Sequence, residues 1–401
     1  MKVLSLFDGM ACGMMAMQGA GVLVERYVAY EIDKYAVQTS THNFPMIEHR
    51  GDVFKADFTE FEGFDFLVGG SPCTYWSIAQ KNNRETEASG MGWELFSQYV
   101  RALHEAKPRF FVYENNKSMS KAIRASIDEA FGFEAVCINS ALVSAQNRQR
   151  LYWVGKRNED GTYSKVDIEQ PEDRGILLKD VLDRAGAKEL TEREVDYMFR
   201  VPERTDYGYI QKSTEDKSKC ITANIAKGVP YNTLFENVTE PIRVGALPRP
   251  NGELSTSQAF RVYSVDGKSV NITAGGGGAG GKTGLYAVPT HYATPCEWDE
   301  SGKPIKAISV ADGKTYTVYE VKDGKITIKG KQYAIKLADG FYIIRKLTVR
   351  ECMRLQTVPE WYAFPVSDSQ AYKMLGNGWT VEVIKHLVQS ALADDGDDWM
   401  L

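Results

Sequence analysis

Short apolar runs alternate with amphipathic segments along the first 155 residues of the chain. The apolar runs predict strands at 2–7, 23–30, 64–68, 110–113, 135–139 and 151–154. The helical spacing of apolar positions predicts helices at 14–18, 34–43, 93–106 and 120–130. Strands that alternate with helices predict an α/β fold with a mostly parallel sheet, because parallel neighbours need a crossover connection.

The pattern changes after residue 155, where the alternation ends and glycine, proline and polar residues increase. Asp-Gly pairs at 312–313, 323–324 and 339–340 separate short alternating runs and predict a β-meander over 305–345. Helical periodicity returns at 348–356 and 381–393, and we expect the acidic stretch 394–398 to fray. Two domains are therefore predicted, one from residues 1–155 and 346–401, and an irregular, mainly β domain from residues 156–345.

Composition narrows the class of protein. The chain has 401 residues, 43% hydrophobic and 25% charged, which suits a globular protein with a large core. Because it lacks an apolar run of 18 residues and a signal-peptide pattern, we expect no membrane association and a cytoplasmic location. The six cysteines form no CxxC pair and the five histidines no HExxH pair, so we expect no disulfide framework and no metal.

The charge distribution leaves two interpretations open. The formal net charge of -5 gives no overall sign of nucleic-acid binding. Residues 301–350, however, contain 11 Lys and Arg against 4 Asp and Glu. This local excess fits either a solvated β-surface protected by lysines or a surface that faces phosphates.

The first predicted strand ends in the turn FDGMACG, from Phe7 to Gly13. A glycine-containing turn before a helix lets backbone amides approach a ligand. Glu31 ends the second strand, 22 residues after Gly9, where a carboxylate can bind ribose hydroxyls, and Asp52 could accept a hydrogen bond from an adenine amine. These positions predict an adenosine-containing cofactor, either a dinucleotide or S-adenosylmethionine.

A cysteine follows the strand at 64–68, in the stretch VGGSPCTY. A lone cysteine after a strand is more often a small buried apolar residue. Here Pro72 and two preceding glycines place Cys73 in a turn at the ligand-binding edge, which favours a nucleophile. Arg148 and Arg150 are the cations that could favour its thiolate, and Glu114 is a carboxylate predicted at the same edge.

Together these stretches resemble the C5-cytosine DNA methyltransferases, over roughly the first 155 and the last 60 residues. Six motifs occur in the order of that family: FDGMACG, GGSPC, YENN, QNRQR, RKLTVRECMRLQTVPE and GNGW. The chain departs from the commoner family pattern at Thr74, Asn116 and Gly378. The departures concern subfamily and substrate detail, since none of them replaces the cysteine, the glutamate or the arginines.

The resemblance implies a Rossmann-like class I methyltransferase domain that uses S-adenosylmethionine. Cys73, preceded by Pro72, would add to C6 of a cytosine, with Glu114 at N3 and with Arg148 and Arg150 holding O2 and the glutamate. The residues that would bind the cofactor are Phe7 on adenine, Asp8, Gly9 and Gly13 near the methionine part, Glu31 on ribose, Asp52 on the adenine amine, and Leu95 and Asn377.

The resemblance also implies a monomer that acts on double-stranded DNA and flips its target cytosine out of the helix. Residues 77–92 would form a mobile lid over the base, with Ser77, Lys81 and Arg84 near DNA. Residues 156–345 would be the target-recognition domain. Its glycine-rich loop at 274–283 would approach DNA, with Lys282 on a phosphate and Thr283 beside it.

Three other functions are weighed against this one. Gly276, Gly281, Lys282 and Thr283 match a phosphate-binding loop, but an extended, proline-terminated run follows where that motif requires a helix. An RNA methyltransferase would share the chemistry, although the large second region favours a DNA reader. A catalytically silent binding protein would have no need of the intact cysteine, glutamate and arginine set.

Overall fold

The computed structural model describes residues 1–77, 84–176, 178–181, 191–200, 217–218, 233–237, 243–246, 261–263, 285–286, 293–309, 315–328, 330–334, 339–346 and 348–396. The chain divides into two compact units. The first unit contains Met1–Leu177, Cys220–Ala226 and Cys352–Leu401, and the second contains Leu178–Lys219 and Lys227–Glu351.

One sheet organises the first unit. Its strands are β1 (Lys2–Leu6), β2 (Arg26–Tyr30), β3 (Glu48–His49), β4 (Phe66–Gly69), β5 (Phe110–Asn116), β6 (Val136–Asn139), β7 (Gln149–Arg157) and β8 (Tyr163–Lys165). The order is β3-β2-β1-β4-β5-β7-β6, with β8 beside β7. The pairs from β3 to β5 are parallel and those made by β7 are antiparallel, so the predicted mostly parallel sheet is confirmed.

The strand order places a binding edge at the centre of this sheet. From β1 the chain first moves outward to β2, and later returns to add β4 on the other side of β1. Ligands of open α/β sheets bind at such a reversal, outside the carboxyl ends of the strands. The turns that follow β1 and β4, which carry Asp8 and Cys73, both start at this edge.

The helices of this unit are α1 (Cys12–Gly19), α2 (Lys34–Asn43), α3 (Gly90–Ala106), α4 (Lys121–Phe131), α8 (Asp368–Asn377) and α9 (Val381–Asp394), while α7 (Val349–Leu355) crosses the unit boundary. The central strands are buried on both faces, as parallel strands covered by helices should be. An apolar cluster joins them to α3 and α4 through large aromatic side chains, among them Tyr99, Phe111 and Trp153.

The C-terminal segment is anchored, and the expected fraying from residue 394 is wrong for its first two residues. Helix α9 packs against α1 and extends to Asp394. Lys156 lies 2.7 Å from a carboxylate oxygen of Asp395, and Arg109 also pairs with Asp395. Two cations therefore fix the helix end, since basic side chains interact favourably with a helix C-terminus.

The second unit is mainly β in its described parts. Its helices α5 (Leu178–Val181) and α6 (Glu192–Phe199) precede strands β9 (Thr233–Asn237), β10 (Arg243–Ala246), β11 (Arg261–Tyr263), β12 (Leu285–Tyr286), β13 (Ala293–Trp298), β14 (Pro304–Ser309), β15 (Thr315–Thr317), β16 (Tyr319–Lys322), β17 (Lys325–Ile328), β18 (Lys331–Ala334) and β19 (Gly340–Lys346). These strands form sheets β10-β11-β12, β13-β14-β15 and β18-β17-β16-β19-β9. Consecutive antiparallel pairs occur at β14-β15 and along β16-β17-β18, as expected of a meander, but β15 and β16 belong to different sheets and β19 pairs with β16, so a single meander over 305–345 is wrong.

Candidate active site

The turn after β4 passes very close to Glu114. A Cβ atom on Gly70 would lie 2.8 Å from the backbone oxygen of Glu114 and 2.9 Å from its Oε2. Only glycine permits this approach, because a Cβ does not tolerate contacts below about 3 Å without movement of its neighbours. Pro72, with φ of −49°, then leads into a 3-10 helix at Cys73–Tyr75. The glycine therefore brings the cysteine turn beside the carboxylate.

Cys73 is half-buried, unlike the fully buried Cys12 and Cys352. Burial raises the pKa of its thiol above the usual 9.0, and the negative charge of Glu114 adds to this. The positive charges of Arg150 and Arg148 act in the opposite direction and lower the pKa without cancelling the effect of burial. The two arginines thus act on the thiol as cations, but burial outweighs them.

Glu114 is held at both carboxylate oxygens. Arg150 Nε lies 3.0 Å from Oε1, and the Trp379 indole donates to Oε2 at 3.0 Å. The side chains of Arg150 and Glu114 are only 16% and 12% exposed. Trp379 was missed as a functional residue by the sequence reasoning, although it belongs to the GNGW motif. An indole can donate to a carboxylate, so this tryptophan was the available signal.

The two arginines of the QNRQR stretch have different partners. Arg148 is buried, and its guanidinium donates to the backbone oxygens of Gly376 at 3.2 Å and Gly378 at 2.8 Å. Gln146, fully buried, donates to the backbone oxygen of Leu355 and to the side chain of Gln356. This half of the stretch fastens the C-terminal segment to the sheet, whereas Arg150 contacts the glutamate.

The turn after β1 is conformationally strained. Phe7, Gly9 and Ala11 all have φ near +60°, although a bulky residue rarely adopts this conformation. Such strain persists where surrounding contacts impose it, often at functional sites. Here the Gly9 amide donates to Glu31 Oε2 at 2.8 Å, and the amides of Ile32 and Asp33 donate to Oε1. Glu31 therefore ties the β1 turn to the end of β2.

Asp8 is a buried carboxyl group at the base of this turn. Ser5 Oγ and the Tyr27 hydroxyl both donate to its Oδ1 at 2.7 Å, while its buried Oδ2 has no hydrogen-bond partner. Burial raises the pKa of Asp8 from 3.8 to about 6, more than the two hydrogen bonds lower it. A Cβ on Gly13 would lie 2.6 Å from the Tyr27 hydroxyl, so that glycine makes room for the tyrosine.

The other predicted cofactor residues occupy varied settings. Asp52 caps a 3-10 helix by accepting a hydrogen bond from the Phe54 amide. Leu95 in α3 packs partly against the core, and Asn377 is exposed at the end of α8. Ile32 directly follows Glu31 and Phe54 lies two residues after Asp52, and their side chains are exposed at 78% and 46%. These two exposed apolar residues near the acids were not singled out from the sequence.

The residues predicted to contact DNA are only partly described. The Ser77 amide donates to the backbone oxygen of Cys73 at 2.9 Å. Arg84 donates to backbone oxygens of Trp76 and Ser118 at 3.1 and 2.6 Å, so its guanidinium links two loops of the protein. Lys81, Lys282 and Thr283, and the phosphate-loop match that includes the last two, lie outside the described residues.

Two features are absent from the described residues. None of their histidine, cysteine, aspartate and glutamate side chains form a group of three or more suited to a metal ion. Within the same ranges, no helix has the length and apolar character needed to cross a bilayer. In the basic segment 301–350, Lys303 and Lys306 each lie within 2.8 Å of a glutamate on the surface, so part of its excess charge is paired.

Known proteins resemble the chain over almost its full length. The family model C-5 cytosine-specific DNA methylase matches residues 1–393. Orphan methyltransferase M.SPRI of Bacillus phage SPR is 28% identical over 98% of this chain and 97% of its own. Type II methyltransferase M.HhaI of Haemophilus parahaemolyticus is 24% identical over 96% of this chain and 93% of its own.

Solved structures agree on the fold. The S. pombe Dnmt2 methyltransferase matches with a TM-score of 0.54 over 98% of both chains, at 14% identity. This likeness concerns the fold alone, and it confirms the predicted Rossmann-like methyltransferase architecture. Because the family match includes the β4 turn, the QNRQR stretch and the returning C-terminal segment, the chain belongs to the C-5 cytosine-specific DNA methylase family and is a DNA cytosine-C5 methyltransferase.

Proposed function

We propose that Cys73 is the nucleophile of this methyltransferase and forms a transient bond to C6 of a flipped cytosine. The observation that supports this most directly is the placement of a half-buried thiol beside Glu114, at the carboxyl edge of the parallel strands. The positive charges of Arg150 and Arg148 favour the thiolate, against the larger effect of burial, which raises the pKa of the thiol. A core cysteine would need neither the glycine approach nor these charges.

The chemistry requires an attack on the ring, because C5 of cytosine is a poor nucleophile by itself. When the Cys73 sulfur adds to C6, electron density moves to C5 and N3. Transfer of a proton from the Glu114 carboxyl group to N3 would neutralise that charge, and Arg150, fixed on Glu114 Oε1, would keep the carboxyl group oriented. After methylation a base takes the C5 proton and the sulfur leaves, which restores the aromatic ring and the enzyme.

The residues at the β1 turn fit S-adenosylmethionine. When bound, this cofactor supplies an electrophilic methyl group. The buried, unpartnered Oδ2 of Asp8 suits a positively charged group such as an ammonium, and Glu31, already oriented by three amides, suits ribose hydroxyls. Phe7, Ile32 and Phe54 offer apolar surface for adenine, with Asp52 as an acceptor for its amine.

The substrate side of the proposal is a specific site in double-stranded DNA, read by a target-recognition domain within residues 156–345. Removing a base from the stack costs a few kcal/mol, which contacts with the opened duplex must offset. We further propose that the enzyme acts as a cytoplasmic monomer. The contacts with DNA expected of Ser77, Lys81, Arg84, Lys282 and Thr283 all remain predictions.

The test is transfer of labelled methyl groups from S-adenosylmethionine to duplex DNA. Wild-type protein should label DNA, and Cys73→Ala should lose the activity while it still binds the cofactor. RNA of the same sequence serves as the comparison substrate. Equal or better labelling of RNA would overturn the DNA assignment, and full activity of Cys73→Ala would overturn the nucleophile.

A further inference from the structure

The turn that carries Cys73 is closed by a buried tryptophan. The amides of Trp76 and Ser77 donate to the backbone oxygen of Cys73 at 3.1 and 2.9 Å. Trp76 itself is fully buried in the apolar cluster beneath the turn. The position of this indole therefore fixes where the cysteine lies.

Glu85 holds that tryptophan from the far side of the loop. Its Oε2 accepts from the Trp76 indole at 3.0 Å, and its backbone amide donates to the oxygen of Tyr75 at 2.9 Å. Both carboxylate oxygens also lie 3.2 Å from the Gly92 amide, in the first turn of α3. Ser89 occupies the N-cap position of α3, but its side chain makes no capping hydrogen bond. Glu85 therefore provides the negative charge at this helix N-terminus.

The packing around Glu85 leaves no room for a different arrangement. A Cβ on Gly92 would lie 2.5 Å from both the Trp76 indole nitrogen and Glu85 Oε2. A Cβ on Gly90 would lie 2.5 Å from Glu85 Oε1, at a φ of +76°. Two glycines thus let the carboxylate enter between the helix and the indole, which is unusual for a solvated surface loop.

Arg84 extends the same network to the glutamate strand. Its guanidinium donates to the backbone oxygens of Trp76 and Ser118, and Ser118 lies two residues after the end of β5, which carries Glu114. The cysteine turn, the start of α3 and the end of β5 are therefore joined through two adjacent residues.

We propose that Glu85, through Trp76, is a positioning residue that sets the Cys73 sulfur against the target ring and Glu114. This inference rests on the proposed role of Cys73 as nucleophile. A displacement of about 1 Å in a reacting group can lower a rate by about 100-fold, so a contact at the base of the turn is sufficient to control the chemistry. Arg84 supports the same turn because its guanidinium donates to the backbone oxygen of Trp76.

The proposal predicts two opposite changes in Glu85→Ala. Methyl transfer should slow by about tenfold or more in kcat, while the KM for S-adenosylmethionine stays near that of the wild type. Alkylation of Cys73 by iodoacetamide, followed on the Cys73 peptide by mass spectrometry, should become about threefold faster or more because the turn opens to solvent. A role limited to helix stability would not expose the thiol in this way.

Three further variants complete the experiment. Glu85→Gln keeps an acceptor for both the indole and the Gly92 amide, so it should recover most of kcat. Trp76→Phe loses the indole donor and should behave like Glu85→Ala, and it replaces that variant if Glu85→Ala does not fold. Glu94→Ala removes an exposed glutamate of the same helix and should match the wild type in both assays.

Two results would overturn the proposal. One is an alkylation rate of Cys73 in Glu85→Ala equal to that in Glu94→Ala. The other is a kcat of Glu85→Ala equal to that of the wild type. A wrong nucleophile assignment gives a different result, because the Cys73→Ala variant, in which Glu85 is unchanged, would then still transfer methyl groups.

Discussion

The protonated thiol of Cys73 is the first consequence at the scale of single residues. Burial raises the pKa of this thiol despite two nearby arginines, so the proposed nucleophile is less reactive in the free enzyme than an exposed thiol. Such a thiol resists alkylation and oxidation until the substrate changes its surroundings. The arginines then supply the positive charge that a thiolate needs.

Alkylation of Cys73 in the free enzyme should therefore increase with pH, with a midpoint above the ordinary thiol value of 9.0. Arg150→Gln should move this midpoint further upward, since the guanidinium lowers the pKa. The measurement is the rate of iodoacetamide labelling of the Cys73 peptide between pH 6 and 11. A midpoint below that of a free thiol would contradict the account.

Asp8 should make cofactor binding depend on pH. Its pKa is about 6, so the carboxylate is present above this value and is neutralised below it. S-adenosylmethionine should bind more weakly as the pH falls through about 6, when measured by titration calorimetry. Asp8→Asn should bind weakly at every pH and lose this step. A pH-independent affinity in the wild type would contradict the assignment.

The same shift predicts a cost in stability. The pKa of Asp8 in the folded protein lies above its unfolded value of 3.8. The contribution of Asp8 to the free energy of unfolding is therefore most favourable at low pH, and it is lost as the pH rises from about 4 to 6. The loss corresponds to about 3 kcal/mol for a shift of this size. Without cofactor, Asp8→Asn should therefore raise the Tm at pH 7.5, whereas an unchanged or lower Tm would contradict the prediction.

Gly70→Ala tests the close approach of the cysteine turn to Glu114. The added methyl would lie 2.8 Å from a backbone oxygen, which must move. We expect kcat to fall by about 100-fold, because the turn and the carboxylate are forced apart. Gly19→Ala is the matched control, since its methyl would meet only a flexible lysine carbon at 3.4 Å. Equal activity of the two variants would contradict the argument.

At the scale of elements, strand β7 has two separate functions. Arg150, its second residue, reaches Glu114 across the β5–β7 pair, while Arg148, one residue before the strand, donates to the backbone oxygens of Gly376 and Gly378 at the end of α8. The indole of Trp379, which follows that helix, reaches the same glutamate. The antiparallel strand thus links catalysis and the return of the chain.

Substitution of Arg148 and substitution of Arg150 should have different effects on stability and on kcat. Arg148→Gln leaves buried backbone oxygens without a charged donor, and we expect the free energy of unfolding to fall by about 3 kcal/mol. Arg150→Gln should reduce stability less but lower kcat by about 100-fold. Denaturant unfolding and steady-state kinetics give the two quantities. A kcat of Arg150→Gln that is not lower than the kcat of Arg148→Gln would contradict the account.

Prediction of elements from sequence succeeded where local signals were complete. Helix α2 has the predicted bounds, because Asp33 caps it by accepting from the Tyr35 amide. Strands β5 and β7 run beyond their apolar runs into YENN and QR, since tertiary pairing continues past the hydrophobic residues. Helix α8 was not predicted, although Ala371, Met374 and Leu375 have helical spacing and are buried.

The site was predictable only as far as the motifs reach. Cys73, Glu114 and Glu31 follow strands, so their shared edge could be inferred from sequence alone. The partners of these residues could not, because they arise from contacts far apart in the chain. Trp379 on Glu114 and Tyr27 on Asp8 are examples, separated by 265 and 19 residues.

At the scale of the whole molecule, the two ends of the chain build one unit. The first 177 residues supply the strands of the sheet that carries the site, and α9, in the segment from Cys352, packs on α1 and β7. The mainly β region between them is inserted in the sequence at a point that leaves this sheet complete. We therefore expect changes of DNA target sequence to come from substitutions in the second unit and changes of rate from substitutions in the first unit.

The most direct measurement of the central claim is covalent trapping on duplex DNA that contains 5-fluorocytosine at the target site. The fluorine cannot leave as a proton does, so a cysteine that has added to C6 stays attached. The account predicts a stable complex that forms only with S-adenosylmethionine, with the DNA on the Cys73 peptide. A wild-type enzyme that methylates ordinary DNA but gives no complex, or one attached at another residue, would contradict it.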